Sequence, residues 1–184
     1  MLITQTGYPL NFIQEEPATY VACHDRTWIF KFFSPKVKLH YIVRAERHSH
    51  EFFAIKFYAK KHKRSDRKYN IVINKGDVAN ILVTCAKAIP YILTDYPNAS
   101  FGFIGSRTID PYSNKVEGYA NNQRYKLYKY HIPQLIGDQV FVHTAYKKAS
   151  AYSLINKNVG DTKKYEKKVK SIIVNHYENI LDIE

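Results

Sequence analysis

The stretch VKLHYIVRAE, residues 37 to 46, alternates strictly, and this alternation limits the possible folds more than any other feature of the chain. Successive side chains of a strand point to opposite faces. Val37, Leu39, Tyr41, Val43 and Ala45 therefore share one face, and Lys38, His40, Ile42, Arg44 and Glu46 the other. A strand with one apolar side belongs in a sheet that is covered on that side and wet on the other. Around it, TYVACHD (19 to 25), TWIFKFF (27 to 33), EFFAIKFYAKK (51 to 61) and YNIVIN (69 to 74) are aromatic and branched runs separated by short polar breaks. Together they predict an antiparallel meander.

The period changes after Gly76. Asp77 suits an N-cap, and Val78, Ile81, Leu82, Cys85, Ile89 and Ile92 follow at steps of three and four, the stripe of a helix buried on one side. Pro90 lacks an N–H, so a bend is expected near Lys87 to Ile89. ASFGFIGSR (99 to 107) reads as a buried strand ending in a glycine turn, and TIDPYSNKVEGYA (108 to 120) as a surface loop. Asn121 or Asn122 can cap the next helix, 121 to 136. Its inner stripe is Tyr125, Tyr128, Ile132 and Leu135, with Arg124, Lys126, Lys129 and His131 at the flanks or outside, Pro133 disturbing the last turn and Gly137 as the stop. QVFVHTAY (139 to 146) and YSLIN (152 to 156) read as strands. Asp161 starts a C-terminal amphipathic helix with the stripe Tyr165, Val169, Ile172, Ile173, His176 and Ile180. The expected fold is a single α+β domain spanning 1 to 184: an N-terminal strand meander, then helix, strand, helix and strand, then a C-terminal helix.

A chain of 184 residues buries about 70% of its unfolded surface and needs no metal or disulfide to fold. Its two cysteines, Cys23 and Cys85, stand apart with no CxxC spacing, and the N-terminus lacks a basic start and an apolar run, so a reducing cytoplasm and no membrane are expected. The formal charge of +12 attracts polyanions, and much of it sits in KFYAKKHKRSDRK (56 to 68) and KKYEKKVK (163 to 170).

Three constellations carry chemistry. In the first, Lys60, Lys61, Lys63, Arg64, Arg67 and Lys68 are flanked by Phe57, Tyr58 and Tyr69, which combines charges for phosphates with faces for bases. Phe57 and Tyr58 cannot both face that loop, because neighbouring strand residues point to opposite sides. The alternative is a solvated loop with core aromatics. In the second, Ser106 and Arg107 at a strand end meet Gln123 and Arg124 at a helix start, giving two guanidiniums and free helix N–H groups for an anion. The alternative pairs Arg107 with Asp110 or Glu117 and leaves Arg124 merely solvated. In the third, His48 and His50 share a face if they lie on a strand and can chelate a metal with Glu46 or Glu51, but RHSHE reads better as a turn, so no metal is expected. His48, His50 and His143 are candidate acid–base groups, and Tyr128 a candidate proton donor, though helical spacing also fits it to the core.

The order of elements and the segment NNQRYKLYKYHI resemble the GNAT-type acetyltransferase fold, whose late helix carries N-x-x-A-x-x-L-Y-x-x-x-G-F, with Asn121 or Asn122 at the start and Leu127-Tyr128 at the end. The resemblance implies acetyl-CoA as the ligand, its pyrophosphate held by backbone N–H groups at the start of the earlier helix. There this chain reads NKGDVAN, with only Gly76 of the family's glycines and with Asp77 beside it. Gly105-Ser106-Arg107 followed by Arg124…Leu127-Tyr128 also resembles small uncharacterised bacterial proteins. The charge points first to a nucleic-acid-binding protein, with RNA favoured over DNA, of a bacterial or phage-like cell and within a toxin–antitoxin or phage-defence module, needing no cofactor. Beside it stand a GNAT-like acyltransferase using acetyl-CoA and a basic module for an acidic protein partner.

Overall fold

The alternating stretch forms the third strand of a mixed sheet. The computed structural model describes residues 6–20, 22–71, 76–110 and 113–176. Its strands are β1 (Asn11–Pro17), β2 (Arg26–Ser34), β3 (Leu39–His48), β4 (Phe52–Ala59), β5 (Ser100–Ile104), β6 (Phe141–Tyr146) and β7 (Ala151–Asn156). They form one sheet in the order β1-β2-β3-β4-β5-β7-β6. The helices are α1 (Val78–Ala86), α2 (Ala88–Asp95), α3 (Gln123–Leu135) and α4 (Thr162–His176). The fold is α+β, but the element order departs from expectation. Two helices separate β4 from β5, and two strands separate α3 from α4.

β1 to β4 form the meander, and α1 with α2 carries the chain across to β5, which pairs parallel to β4. Parallel neighbours need such a crossover. Tyr41, Val43 and Ala45 of β3 join Phe53 and Ile55 of β4, Phe101 and Phe103 of β5, and the inner faces of α1, α2 and α3 in the larger core. On the other side of the sheet, Phe52 and Ala54 pack with Ile155 of β7 and with Val169, Ile172 and Ile173 of α4.

Four local expectations are corrected. The described residues of 19 to 25, which exclude Val21, form no strand: Ala18 N–H bonds Asp25 O and Ala22 N–H bonds Thr19 O, which closes a hairpin connection between β1 and β2. The first strand is instead NFIQEEP. Of the strand expected at 69 to 74, residues 72 to 74 lie outside the described residues, and Ile71 makes a single bridge to Ile109. The second face of β3 is not uniformly wet, since Glu46 and His48 are buried there. Asp77 precedes α1, but its carboxylate caps no backbone N–H.

The bend near Pro90 is present as a division at Lys87, whose N–H bonds Thr84 O. Pro90 thereby falls in the first turn of α2, where its missing N–H would have no partner in any case. Val78–Asp95 is the one described run apolar and long enough by composition to cross a membrane; here it is two helices whose Ile81, Leu82, Ile89 and Ile92 pack on the sheet. Asn122 caps α3 by accepting from Tyr125 N–H at 2.9 Å, and Asp161 accepts from Lys164 N–H at 3.0 Å ahead of α4. His176 ends α4 exposed rather than in its stripe, and Ile180 lies outside the described residues.

Candidate functional site

β4 and β5 pair from Phe52↔Ser100 to Ile55↔Phe103 and then part. β4 continues through Lys56–Ala59 against β3 alone, while β5 ends at Ile104. Beyond the parting, the start of α1 enters from one side and the start of α3 from the other. A narrow cleft, open in part to solvent, lies between them. Tyr41, Phe57, Tyr58, Ala59 and Ile71 line it from the sheet side, Val78, Ile81 and Leu82 from α1, and Gln123, Arg124, Leu127 and Tyr128 from α3. The carboxyl ends of parallel strands are where open sheets of this kind hold ligands.

The wall facing β5 is held by a tight junction. Asn122 Nδ2 donates to Gly105 O, and Gly105 N–H donates to Ser150 O at 2.7 Å. A Cβ on Gly105 would lie 2.6 Å from Asn122 Oδ1, 2.8 Å from Ser150 O and 3.0 Å from Tyr125 N, so only glycine fits between strand end and helix start. Glu117 closes the same corner by accepting from Thr108 Oγ1 at 2.8 Å and from Gln123 N–H at 2.5 Å.

The adjacency of strand end and helix start foreseen for the anion constellation is therefore present, but its four residues divide. Gln123 and Arg124 line the cleft, whereas Ser106 and Arg107 do not, and the Arg107 guanidinium lies 3.6 Å from the centroid of the Tyr119 ring. No ion pair joins Arg107 to Asp110 or Glu117 among the described residues. Arg124 is a correction: expected at the helix flank, it is buried, with its guanidinium 5.2 Å over Phe57. Arg124, Tyr128 and Ile132 stand at i, i+4 and i+8, so the stripe that buries Tyr128 buries Arg124 as well. Tyr128 packs on Phe103, and burial pushes its phenol up to about 12, so it is protonated at neutral pH.

At the start of α1, Asn74 and Lys75 of NKGDVAN lie outside the described residues. Gly76 has φ 72° and its carbonyl accepts from Lys36 Nζ at 2.6 Å. Asp77 turns away from the helix start. Its carboxylate accepts from Tyr8 OH at 2.8 Å, Asn80 Nδ2 at 2.9 Å and Ser34 Oγ. Burial opposes this charge, but the three hydrogen bonds outweigh it and hold the pKa below the ordinary carboxylate value.

The basic residues follow β4 directly. Lys60 to His62 form a 3₁₀ turn, and hydrogen-bonded turns continue through Asn70. Lys60, Lys61, Lys63, Arg64 and Arg67 are exposed. Lys68 is half-buried, its Nζ 5.1 Å from the Tyr58 ring and 5.4 Å from the Tyr69 ring. Tyr58 and Phe57 both border the cleft, but the Tyr58 ring meets Tyr69 of this loop while the Phe57 ring lies under Arg124, as the alternation of a strand requires.

The three candidate histidines, His48, His50 and His143, do not converge, although the His48 ring packs against those of His24 and His176. His48 is buried at the end of β3, and burial pushes its pKa down to about 4, while His50 sits in the turn at φ 62° with its ring beside Tyr165. His143 bonds Tyr152 OH at 2.9 Å and Gly137 O at 3.2 Å on the edge of the sheet, away from the cleft. No group of three or more metal-ligating side chains is present among the described residues. Sequence reasoning missed Tyr41, Phe57 and Leu127 as cleft residues. The sequence places Tyr41 on the apolar face of its strand, Phe57 as a face for bases or as core, and Leu127 only in the GNAT-like segment; the parting of β4 from β5 brings the three to one wall.

No family model matches the chain, and no match is found among curated proteins or solved structures.

Proposed function

We propose that the protein binds an acyl-CoA in the cleft between β4 and β5 and transfers its acyl group, as an acyltransferase of GNAT-like layout. The observation that carries this reading is the parting of two parallel strands at Ile55 and Phe103, with two helix starts converging on the gap. A long, chain-like ligand suits such a gap, because unpaired strand edges offer backbone hydrogen bonds to a pantetheine-type amide arm and the start of α1, which no side chain caps, offers N–H groups. Tyr128 supports the transfer step. When bound, the acyl-CoA would supply a thioester; Tyr128, kept a neutral phenol by burial, can donate a hydrogen bond to the thioester carbonyl oxygen, and the proton released by the nucleophile that takes the acyl group balances the departing thiolate. Thermal unfolding tests the reading. At 100 times its Kd, acetyl-CoA stabilises by about 2.7 kcal/mol, which raises Tm by roughly 5 °C or more for a chain of this size. No rise at about 1 mM ligand counts against it.

A second reading rests on the exposed turn 60 to 68. None of Lys60, Lys61, Lys63, Arg64 and Arg67 forms an ion pair among the described residues. A nucleic acid, RNA above all, would meet five charges free to displace counterions. Anisotropy of a labelled single-stranded RNA from about 50 to 300 mM salt should then fall steeply, with slope of order one log unit per phosphate contact. Equal binding by a charge-reversed 60–68 variant would end this reading.

A further inference from the structure

Arg124 stands where a cation needs an anion, and the described chain offers it none. The residue is 7% exposed and enters the cleft from the first turn of α3. Among the described residues its guanidinium has no carboxylate within ion-pair reach and no hydrogen bond; Phe57 is its one ring contact. The acids whose fields reach this corner are engaged elsewhere. Glu117 accepts from Thr108 and Gln123, and Asp77 from Tyr8, Ser34 and Asn80. A second donor shares the condition: Tyr41, 4% exposed on β3, lines the same cleft and its hydroxyl has no hydrogen-bond partner among the described residues. A guanidinium with no acid partner that meets solvent only through the cleft, beside a buried hydroxyl with no partner, makes a receptor for an oxyanion.

We propose that this end of the cleft seats a carboxylate at the far end of the bound acyl group, held by the Arg124 guanidinium and the Tyr41 hydroxyl, so that the preferred acyl-CoA carries a dicarboxylic acid. The inference rests on the acyl-CoA reading above. A phosphate has the same oxyanion chemistry, and position favours the carboxylate. The guanidinium fork matches a planar carboxylate with two parallel hydrogen bonds. Phe57, Ile81, Leu82 and Leu127 make much of the cleft lining apolar, and among the described residues no lysine lines it, which suits a carboxylate on a carbon chain better than a heavily hydrated phosphate.

The test is titration calorimetry of acetyl-CoA and succinyl-CoA into the wild type, Arg124→Met, Arg124→Lys and Tyr41→Phe, beside thermal unfolding in succinate, inorganic phosphate and sodium chloride at equal ionic strength. Methionine keeps the bulk of the stem, and circular dichroism establishes that each variant is folded. The wild type is expected to bind succinyl-CoA on the order of tenfold or more tightly than acetyl-CoA, the advantage of a charge-assisted hydrogen bond. That preference should vanish in Arg124→Met and shrink in Arg124→Lys and Tyr41→Phe. Equal affinity for the two esters in the wild type, or a preference that survives in Arg124→Met, overturns the proposal. If neither ester binds, yet succinate raises the wild-type Tm and leaves Arg124→Met unmoved, the carboxylate seat stands and the acyl-CoA reading falls. Greater stabilisation by phosphate than by succinate, lost in Arg124→Met, overturns the carboxylate assignment, and no response to either anion overturns the seat.

Discussion

Replacing Gly105 by alanine tests whether the wall of the cleft is built as the structure describes. The added Cβ would fall 2.6 Å from Asn122 Oδ1, 2.8 Å from Ser150 O and 3.0 Å from Tyr125 N. Two of these atoms are backbone and the third belongs to the side chain that caps α3, so no flexible tip can swing aside. Overpacking of this kind costs about 1–3 kcal/mol. Displacing Asn122 from the Tyr125 N–H adds about 1 kcal/mol for the lost cap. A total of about 2–4 kcal/mol corresponds, at roughly 2–4 °C per kcal/mol, to a Tm lowered by about 4–16 °C. Gly118→Ala and Gly137→Ala are the controls, since nothing lies within 4 Å of a Cβ at either position. Thermal melts followed by circular dichroism read all three. If Gly105→Ala melts within a degree or so of the controls, the junction between β5 and α3 is not the packed corner described here.

Two further outcomes follow from buried polar groups. Burial, the leading influence, keeps His48 neutral with a pKa pushed down to about 4, despite the opposing field of Glu46, and His24 and His176 add to the depression. The unfolded chain takes up that proton near pH 6.5, so stability is full above pH 6.5 and falls by about 3 kcal/mol as pH drops toward 4. Urea midpoints at pH 7 and 4.5 should show this loss, and His48→Phe should flatten the dependence, although His24, lowered by the same burial, keeps part of it. An unchanged slope in His48→Phe would refute the assignment. Asp77→Ala strips the acceptor from Tyr8, Ser34 and Asn80 at once and should destabilise by about 3 kcal/mol in urea unfolding; a loss below about 1 kcal/mol would mean that water replaces the carboxylate.

The elements whose faces can be assigned from the sequence are those buried mainly on one side, whereas β5 and β7, buried on both faces, show only as apolar runs. Tyr41, Val43 and Ala45 on β3, and Tyr125, Tyr128, Ile132 and Leu135 on α3, keep their periods because a single core sits beneath each. β1 leaves no such trace. As an edge strand exposed along nearly its whole length, NFIQEEP carries no alternation. The hairpin connection 19 to 25 misleads in the opposite sense, being rich in strand-forming residues while its backbone bonds close a turn. Arg124 is the instructive case for the site. Its residue type says surface, but its spacing from Tyr128 and Ile132 says core, and spacing prevails because the helix has one orientation. What no local pattern can announce is the pairing of β4 with β5 and its end at Ile55, since partners so far apart in the chain are brought together only by the whole sheet.

Amide hydrogen exchange of the protein with and without acetyl-CoA tests the central claim most directly. The account predicts new protection at Phe57–Ala59, Val78–Leu82 and Gln123–Tyr128, the three segments that border the parting of the sheet, with β1 and α4 unchanged. Protection absent at saturating ligand, or confined to residues 60 to 68, would contradict it.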